Sequence, residues 1–297
     1  MNTDPALRAI VRERQQLINI AYRLLGSLSE AEDVVQESCA RWYALPAQQR
    51  ETIESPAAWL TTVTGRICLD LLGSARARRE RYVGEWVPEP LPDRSGLDDP
   101  ADRITLDESV SMAFLVVLES MTPAERVAFV LHDVFGYRFP EVAEIVGRSP
   151  AACRQLASSA RRRIRTSPAP TARTAQHADV VSSFRQAWQT KDIKALIGLL
   201  DPSATVVGDG GGLVPAAPRP IEGSEHIARY LVDLASRAPD LTLLERPVNG
   251  HPGLVTQHHG TTVMVAAFHV EDGLIKHIWA VRNPEKLRHW QKQHERS

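Results

Sequence analysis

Arginines dominate one stretch of this chain, and the chemistry they offer is the binding of phosphate. From Ile145 to Ala178 there are seven arginines and no acidic residue. A guanidinium stays charged at neutral pH and matches a phosphate group with parallel hydrogen bonds, and a polyanion rewards such a local excess by releasing counterions. The stretch therefore indicates a surface for nucleic acid, with an ordinary solvated helix face as the alternative.

The residues around these arginines predict a helix, a tight turn and a second helix over residues 136–165. Gly147 suits the positive φ that ends a helix, and Ser149 followed by Pro150 suits the N-cap and first position of the next one. A stripe at helical spacing is predicted to be buried, formed by Cys153, Ala157, Ala160 and Ile164. The polar residues left facing outwards are Arg154, Gln155, Ser158, Arg161, Arg162 and Arg163. This outline is typical of a DNA-binding helix-turn-helix.

A second basic segment lies in a helix predicted to start at Ser55 and Pro56. Its early part is expected to bury Trp59, Leu60, Val63, Ile67 and Leu71. Its later part is basic and contains Arg66, Arg76, Arg78, Arg79 and Arg81. Such a helix can hold single-stranded DNA by charge and by base stacking on Trp59. The alternative is that Trp59 is a core residue and the arginines complement the helix C-terminus.

Two helices are predicted before that segment. The first should end near Gly26, and the second should start at Ser29 with Glu32 completing a capping box. The second helix is expected to point Ala31, Val34, Val35, Cys39 and Trp42 inwards. Its other face carries Asp33, Gln36, Glu37 and Arg41.

Composition limits the function classes. The chain has 297 residues, 43% of them hydrophobic, and no apolar run approaches the roughly 20 residues of a membrane span. The three cysteines lie far apart, which favours reduced core thiols over a metal or redox pair. No P-loop or nucleophile motif precedes residue 170, so we expect neither a cofactor nor a bound metal. A secretion signal is not evident, and we expect a cytoplasmic protein that does not interact with membranes.

Two connectors divide the sequence. Residues 84–108 contain eight acidic and two basic residues and four prolines, which predicts an extended linker in which Trp86 docks against another part of the chain. Two helices and the helix-turn-helix follow, and a second Pro-rich linker covers residues 166–173. From residue 176, two helical patterns at 177–200 and 223–238 and several strand-like runs, among them 253–273, predict an α+β domain with a mainly antiparallel curved sheet.

Long segments of the chain resemble the extracytoplasmic-function (group 4) sigma factors of RNA polymerase. The resemblance lies in AYRLLGSLSEAEDVVQESCARW, PAAWLTTVTGRICLDLLGSARARRE and TPAERVAFVLHDVFGYRFPEVAEIVGRSP. The tail resembles a SnoaL-like domain of the NTF2-like cone fold, and WVPEP, DGGG and NPEKL are similar to motifs of the subgroup that carries this extension. The fold implied is two all-α sigma domains followed by an α+β NTF2-like cone. The implied domains are sigma region 2 at 1–83, an acidic linker at 84–106, sigma region 4 at 107–166, a linker at 167–176, and the SnoaL-like domain at 177–297.

The resemblance implies a role for individual residues. The partner expected for Asp33, Gln36 and Glu37 is core RNA polymerase, at its beta-prime clamp helices, and region 4 would meet the beta flap. Promoter DNA would be contacted at the −10 element by Trp59, Arg66, Asp70, Arg76, Arg78 and Arg79. The −35 element would be contacted by Ser149, Arg154, Gln155, Ser158, Arg161, Arg162 and Arg163.

The tail is expected to act on the sigma domains in cis. The residues assigned to this regulatory contact are Trp86, Pro88, Asp209, Gly210, Gly211, Gly212, Asn283 and Pro284. A pocket inside the cone is expected near His259 and Trp279, and its small-molecule ligand is unknown. The alternative function is a ligand-sensing or catalytic SnoaL-like protein of the cyclase or hydrolase type with an attached DNA-binding module, for which the candidate site residues are Asp209, His258, His259, His269 and Trp279.

Overall fold

The structure is a computed structural model that describes residues 5–79, 82, 84–92, 110–166 and 175–291. For residues 5–12, 75–79 and 166 it describes the backbone alone. The described residues form two compact units, one of 5–79 with 114–166 and one of 82, 84–92, 110–113 and 175–291. Within these ranges no helix is long and apolar enough to cross a bilayer.

The first unit is all helical, as expected. Its elements are α1 (Pro5–Leu25), α2 (Leu28–Ala44), α3 (Ala47–Thr52), α4 (Pro56–Arg79), α5 (Met112–Glu119), α6 (Pro123–Phe129), a π-helical turn (Val130–Val134), α7 (Phe139–Val146) and α8 (Pro150–Thr166). The first of these, α1, packs along both α2 and α4. The apolar residues that this packing buries completely include Leu17, Leu24, Leu60 and Trp42.

Most predicted helix boundaries are confirmed, and one cap is wrong. Gly147 takes φ 69° after α7. The Ser149 hydroxyl accepts a hydrogen bond from the Ala152 amide at 3.2 Å and so caps α8. The N-cap of α2 is Ser27, whose hydroxyl accepts from the Glu30 amide at 3.3 Å, and Ser29 lies inside the helix. Ser27 comes directly after Gly26, which takes φ 69°, so α2 begins two residues earlier than predicted.

The buried faces of α2 and α4 differ from the predicted stripes. In α2, Ser38 is fully buried and Cys39 only half-buried, because the Ser38 hydroxyl accepts from Thr64 at 2.9 Å and donates to the Val34 carbonyl. In α4 the expected Trp59, Val63, Ile67 and Leu71 are half-buried. Leu60 is buried as predicted, and the other buried residues of this helix are Thr61, Thr64, Cys68 and Leu72. The inward face of α4 is therefore turned by about one residue, because short polar side chains satisfied by hydrogen bonds occupy core positions.

The second unit is the expected α+β cone. Its helices are α9 (Ala175–Gln189), α10 (Ile193–Leu199), α11 (Ser224–Arg237) and α12 (Arg288–Gln291). Its strands are β1 (Leu200–Asp209), β2 (Ile221–Glu222), β3 (Leu241–Val248), β4 (His251–His258), β5 (Thr261–Glu271) and β6 (Leu274–Val281). The strand order is β2-β1-β6-β5-β4-β3, and the β1–β6 pair is parallel while the other pairs are antiparallel. Helices α9, α10 and α11 pack on this sheet over a core of Phe184, Trp188, Leu196, Leu254 and Phe268.

Two predicted elements are divided in the structure. The single helix predicted over 177–200 is two helices, because Lys191 takes φ 56° and the Asp192 side chain caps α10 by accepting from the Ala195 amide. The strand-like run 253–273 is two strands joined by a turn at His259 and Gly260, which take φ 49° and 79°. Positive φ at a non-glycine residue gives no clear signal in a hydrophobic pattern, so both breaks were missed.

Buried histidines line a small cavity in the second unit. His177, His251 and His269 surround it together with residues 111–113, and the His177 and His251 ring centroids lie 6.1 Å apart. Burial, with the neighbouring His251 and His269, lowers the pKa of His177 to about 4. Burial also lowers the pKa of His269 and of His277. The neutral form of these rings is the one compatible with the fold.

We therefore expect the second unit to lose stability on acidification. The folded-state pKa of His177, about 4, lies below its unfolded value near 6.5, so this contribution is complete above pH 6.5 and is lost as the pH falls towards 4. At pH 5 the loss from His177 alone is about 2 kcal/mol. Native-state hydrogen exchange of β4–β6 amides, corrected for intrinsic rates, measures this opening free energy in the wild type and in His177→Leu. An equal decline between pH 7 and 5 in both proteins would contradict the assignment.

Candidate regulatory and nucleic-acid-binding sites

A strap formed by residues 82 and 84–92 binds to the cone, and Asp209 is its central anchor. Asp209 ends β1 and is completely buried. One carboxylate oxygen accepts from the Tyr82 hydroxyl at 2.7 Å and the Gly211 amide at 3.0 Å. The other accepts from the Val87 amide at 3.0 Å and the Lys286 ammonium at 2.7 Å. Four donors compensate the cost of burying this carboxylate, and two of them belong to the strap.

Lys286 completes the same cluster from the opposite side. Its ammonium also donates to the Val87 carbonyl, so both backbone polar groups of Val87 are bound. The nitrogen lies 4.1 Å from the centroid of the Trp86 ring and 5.5 Å from that of Tyr82, within the range of cation–π attraction. Burial, followed by the hydrogen bond to Asp209, raises the pKa of the Tyr82 hydroxyl, so it remains a donor. The predicted docking of Trp86 is confirmed, and its contact is a lysine that the sequence analysis did not assign.

The glycines of DGGG are required by close approach. A β-carbon on Gly211 would lie 2.3 Å from the Asn283 side-chain nitrogen, and one on Gly210 would lie 2.2 Å from the Val214 carbonyl oxygen. Gly211 and Gly212 also have φ of 65° and 72°. Asn283, which the loop closes upon, donates to the Tyr82 hydroxyl at 3.0 Å. The loop thus packs on the NPEKL segment, and it is Asp209 and Asn283 that reach the strap, while Pro284 is exposed.

Asn249 binds two separate points of the connector that follows α4. Its side-chain oxygen accepts a hydrogen bond from the Leu91 backbone amide at 3.0 Å, and its backbone amide donates one to the Leu91 carbonyl at 2.9 Å. Its side-chain nitrogen donates to the Val110 carbonyl at 2.8 Å. The Trp290 indole donates to the Pro90 carbonyl at 2.9 Å, and Val87 to Pro92 are buried. One side chain therefore holds two points that are 19 residues apart in the sequence.

Sequence reasoning identified part of this site. Asp209, Gly210, Gly211, Asn283 and Trp86 belong to it, and Pro88 lies buried within the strap. The residues it missed are Tyr82, Asn249, Lys286 and Trp290. Lys286 was visible inside NPEKL, whereas Asn249-Gly250 signals only a hairpin turn. The remainder of the predicted acidic linker, residues 93–106, lies outside the described residues.

The expected polymerase-binding residues share one exposed face of α2. Asp33, Gln36 and Glu37 are all exposed, and Glu37 pairs with Arg41 at 2.8 Å. On α4, Trp59 is half-buried and meets Trp42 edge-to-face with centroids 5.3 Å apart. Asp70 is exposed. The side chains of Arg76, Arg78 and Arg79 lie outside the described part of the chain.

Helix α4 also contacts the first helix of the helix-turn-helix. The Arg66 guanidinium donates to the Glu144 carbonyl at 3.0 Å. A β-carbon on Gly65 would lie 2.7 Å from a methyl group of Ile145, so the two helices approach as closely as a glycine permits. The Tyr137 hydroxyl adds bonds to Thr61 and Gln16 at 3.1 and 2.9 Å. The face of α4 around Arg66 is thus occupied by α7.

The recognition helix α8 presents most of the predicted residues to solvent. Its exposed members are Arg154, Gln155, Ser158, Arg162 and Arg163, together with Ser149 at the cap. The Arg154 guanidinium lies over the Phe139 ring, 5.5 Å from its centroid. Arg161 differs, because it forms two hydrogen bonds to Asp133 at 2.6 and 3.2 Å. In this conformation Arg161 ties α8 to the π-helical turn.

The pocket residues predicted in the cone are not confirmed. His259 is exposed at the β4–β5 turn, and Trp279 is buried beside His277, with ring centroids 5.6 Å apart. Neither lines the larger cavity of the cone. Asp209, an acid–base candidate, is buried and accepts hydrogen bonds from the strap residues Tyr82 and Val87. Across the described residues no three histidine, cysteine or acidic side chains are grouped in a way that would hold a metal ion.

Comparison with known proteins identifies family models for the two helical regions and relatives over nearly the whole chain. The model of Sigma-70 region 2 matches residues 9–78, and that of Sigma-70, region 4 matches residues 111–164. The chain is 39% identical to the ECF RNA polymerase sigma factor SigJ of Mycobacterium tuberculosis over 92% of this chain and 90% of that protein. It is 34% identical to the probable ECF RNA polymerase sigma factor SigI of the same species over 96% and 95%. The crystal structure of the SigJ protein superimposes with a TM-score of 0.75 at 36% identity, covering 95% of this chain and 98% of that one.

Loss of the Lys286 ammonium should release the strap. Lys286→Met leaves the Asp209 carboxylate buried without its cation, which typically costs about 3–5 kcal/mol. We expect the Val87 amide, a hydrogen-bond donor to Asp209, to lose its protection from hydrogen exchange while amides in β4 and β5 keep theirs. Arg229→Met is the matched control, because Arg229 pairs with Glu225 on the surface, where pairs contribute about 0–1 kcal/mol. Unchanged protection of Val87 in Lys286→Met would contradict the role given to this cluster.

Proposed function

The chain belongs to the ECF RNA polymerase sigma factors, and from this premise we propose that its cone domain regulates promoter recognition in cis by holding the connector between the two sigma regions. As a sigma factor it acts with core RNA polymerase on promoter DNA. The proposal rests on one observation, the double hydrogen bonding of Asn249 to Leu91 and Val110. We place this activity in the cytoplasm and propose that the chain itself catalyses no reaction. The proposed domain boundaries lie at 83/84, 106/107, 166/167 and 176/177.

The individual contacts are those that the resemblance to ECF sigma factors implies, and the exposure and charge of the described residues support part of them. The exposed acidic and amide face of α2, with Asp33, Gln36 and Glu37, is assigned to the polymerase clamp helices. Helix α4 is assigned to the −10 element, where Trp59, Arg66, Asp70, Arg76, Arg78 and Arg79 would meet the opened strand. Helix α8 is assigned to the −35 element. There Arg154, Gln155 and Ser158 face bases, and Ser149, Arg162 and Arg163 face phosphates, with Arg161 joining them once it leaves Asp133.

Connector length gives the strap a physical effect. Promoter elements centred near −10 and −35 are about 25 base pairs apart, or about 85 Å along the duplex. The chain from Arg79 to Met112, released from the cone, spans at most about 110–120 Å. With Leu91 and Val110 both bound to Asn249, the same two points are joined by a path of at most about 55–60 Å. Docking therefore halves the reach available between the two sigma regions.

The contact between α4 and α7 also opposes separation of the two sigma regions. While Arg66 bonds the Glu144 carbonyl and Gly65 packs on Ile145, α7 contacts part of the α4 surface assigned to the −10 element, including the Arg66 guanidinium. Reading both elements together requires this contact to open, because one compact unit cannot extend over about 85 Å of duplex. A docked strap favours the closed arrangement by limiting separation, and strap release favours the open one.

Release of the connector should therefore raise promoter output. Asn249→Gly removes the side chain that bonds Leu91 and Val110 and tolerates the native φ of 52°, so backbone strain is avoided. We expect in vitro transcription by core polymerase with the full chain to increase several-fold at limiting sigma concentration. The increase should be larger on templates whose −10 to −35 spacing is lengthened by one or two base pairs.

Two controls distinguish an effect of connector length from misfolding of the variant. Gly250 follows Asn249 and takes φ 77°, so circular dichroism and β4 amide protection must show that the hairpin persists in the variant. Asn249→Asp keeps the acceptor for the Leu91 amide but loses the donor to Val110, and it should give an intermediate effect. If Asn249→Gly matches the wild type at every spacing while the strap is released, the cone does not act through connector length.

The assignment of α8 predicts two different defects. Arg154→Ala should reduce discrimination at one −35 position by about 1–3 kcal/mol, or roughly 5- to 150-fold, since a base-directed arginine carries sequence information. Arg162→Ala should weaken binding to all sequences alike and lower the salt dependence of log K by about one unit, since a phosphate contact carries none. Holoenzyme binding to promoter variants at several salt concentrations measures both. The opposite pattern, or no loss of discrimination in Arg154→Ala, would overturn the orientation proposed for α8.

A further inference from the structure

Two arginines of the recognition helix α8 are held by neighbouring residues of one short segment, the π-helical turn. Arg154 and Arg161 are seven positions apart, about two helical turns, so both project from the same side of α8. Asp133 of the turn binds Arg161 directly. The preceding residue, His132, stacks on Phe139, and the Phe139 ring in turn contacts Arg154. Since π-helical segments are frequent at functional sites, this turn is a candidate for organising the contacts of α8 with DNA.

The aromatic ring that contacts Arg154 has a defined position of its own. Phe139 is the first residue of α7 and is half-buried. Its ring stacks on the His132 ring, with centroids 3.9 Å apart and planes inclined by 28°. The His132 ring is oriented as well, because its Nδ1 donates a hydrogen bond to the Tyr137 carbonyl at 2.8 Å. The Phe139 ring can therefore hold another side chain at a fixed place.

The contact with this ring leaves the hydrogen-bonding groups of Arg154 available. The Arg154 guanidinium carbon lies 5.5 Å from the Phe139 centroid, within the roughly 6 Å range of cation–π attraction. This attraction acts on the charge and uses none of the five N–H donors of the guanidinium. A long exposed side chain that is already held in place loses less conformational entropy when it binds. Such an arginine is suited to paired hydrogen bonds with the O6 and N7 atoms of guanine.

The contact of Arg161 has the opposite consequence. Its Nε and one terminal nitrogen donate to the two Asp133 oxygens at 2.6 and 3.2 Å. These bonds occupy the donors that a base edge requires, and the carboxylate offsets the charge that a phosphate would attract. The two arginines thus share one side of α8 and differ in availability, because one has an aromatic neighbour and the other an acidic one.

We propose that Phe139, supported by His132, is a positioning residue that directs Arg154 to a base of the −35 element. Phe139 acts on sequence discrimination through Arg154 alone. The inference rests on the proposed assignment of α8, and it adds a reason why Arg154 rather than Arg161 carries the sequence information.

The test measures how strongly holoenzyme, made of core polymerase and the full chain, discriminates between bases. The probes are duplexes of a promoter mapped with the wild-type holoenzyme, with each of the four base pairs at the −35 position where Arg154→Ala loses discrimination. Phe139→Leu removes the ring and keeps an apolar side chain. It should lower the affinity ratio between preferred and other base pairs by about 2- to 5-fold, the factor that an exposed cation–π contact supplies. Phe139→Tyr retains the ring and should keep the wild-type ratio.

Two further comparisons distinguish positioning from a general loss of stability. In a chain that already carries Arg154→Ala, adding Phe139→Leu should not lower the ratio further, because the side chain that the ring positions is gone. Phe135→Leu is the matched control, since the Phe135 ring meets a different arginine, with the Arg23 guanidinium carbon 5.3 Å from its centroid. This control should keep the wild-type ratio. The salt dependence of binding should be unchanged in Phe139→Leu, because no phosphate contact is removed.

A wild-type ratio in Phe139→Leu overturns the proposal, and so does a further loss in the double variant or an equal loss in Phe135→Leu. If Arg154→Ala lowers the ratio and Phe139→Leu does not, the positioning role is wrong and the assignment of α8 stands. If Arg154→Ala leaves the ratio unchanged at every −35 position, both the assignment and the positioning role are wrong. None of these outcomes depends on the result for Asn249→Gly, which tests the cone.

Discussion

The buried ion pair between Asp209 and Lys286 is the interaction on which the second unit depends. A carboxylate with no exposed surface is tolerated only when its lone pairs are satisfied and a cation is near. Here two of the required donors, the Val87 amide and the Tyr82 hydroxyl, come from the segment that follows α4. The cone therefore has a binding site for its own connector, because without the strap its central carboxylate would lack half of its hydrogen bonds.

The geometry around this pair leaves little freedom in sequence. Gly210 and Gly211 are fixed by distances of 2.2 and 2.3 Å from a hypothetical β-carbon to Val214 and Asn283. The Lys286 ammonium must reach Asp209, the Val87 carbonyl and the face of Trp86 together. An arginine is too broad and planar to make these three contacts from one point charge. DGGG, NPEKL and WVPEP are thus three parts of one contact, which explains why they occur in the same chain.

The sequence predicted the elements that depend on local rules and missed those set by tertiary contacts. Caps such as Ser149 and turns such as Gly147 follow from single-residue chemistry, and both were predicted at the right position. The rotation of α4 was missed because Thr64 and Ser38 satisfy one another across two helices, which no periodicity in either helix reveals. Asn249 was missed for a similar reason. Its neighbours in sequence indicate a turn, whereas its partners Leu91 and Val110 lie far away along the chain.

A tethered strap has to bind weakly enough to be released. Because the strap is covalently joined to the cone, its effective concentration is high, and modest contacts suffice to keep it docked. In the proposed mechanism the buried pair anchors the strap, while the bonds of Asn249 to Leu91 and Val110 limit the length of free connector. A promoter, polymerase or ligand can change the docked population only by its difference in affinity for the two states, and a shift from 1:99 to 99:1 needs about 5.5 kcal/mol. Under the proposed assignment of α4 and α8 to the two promoter elements, DNA would supply such a difference only if both helices engage together, and the strap would then convert two separate contacts into one cooperative recognition event.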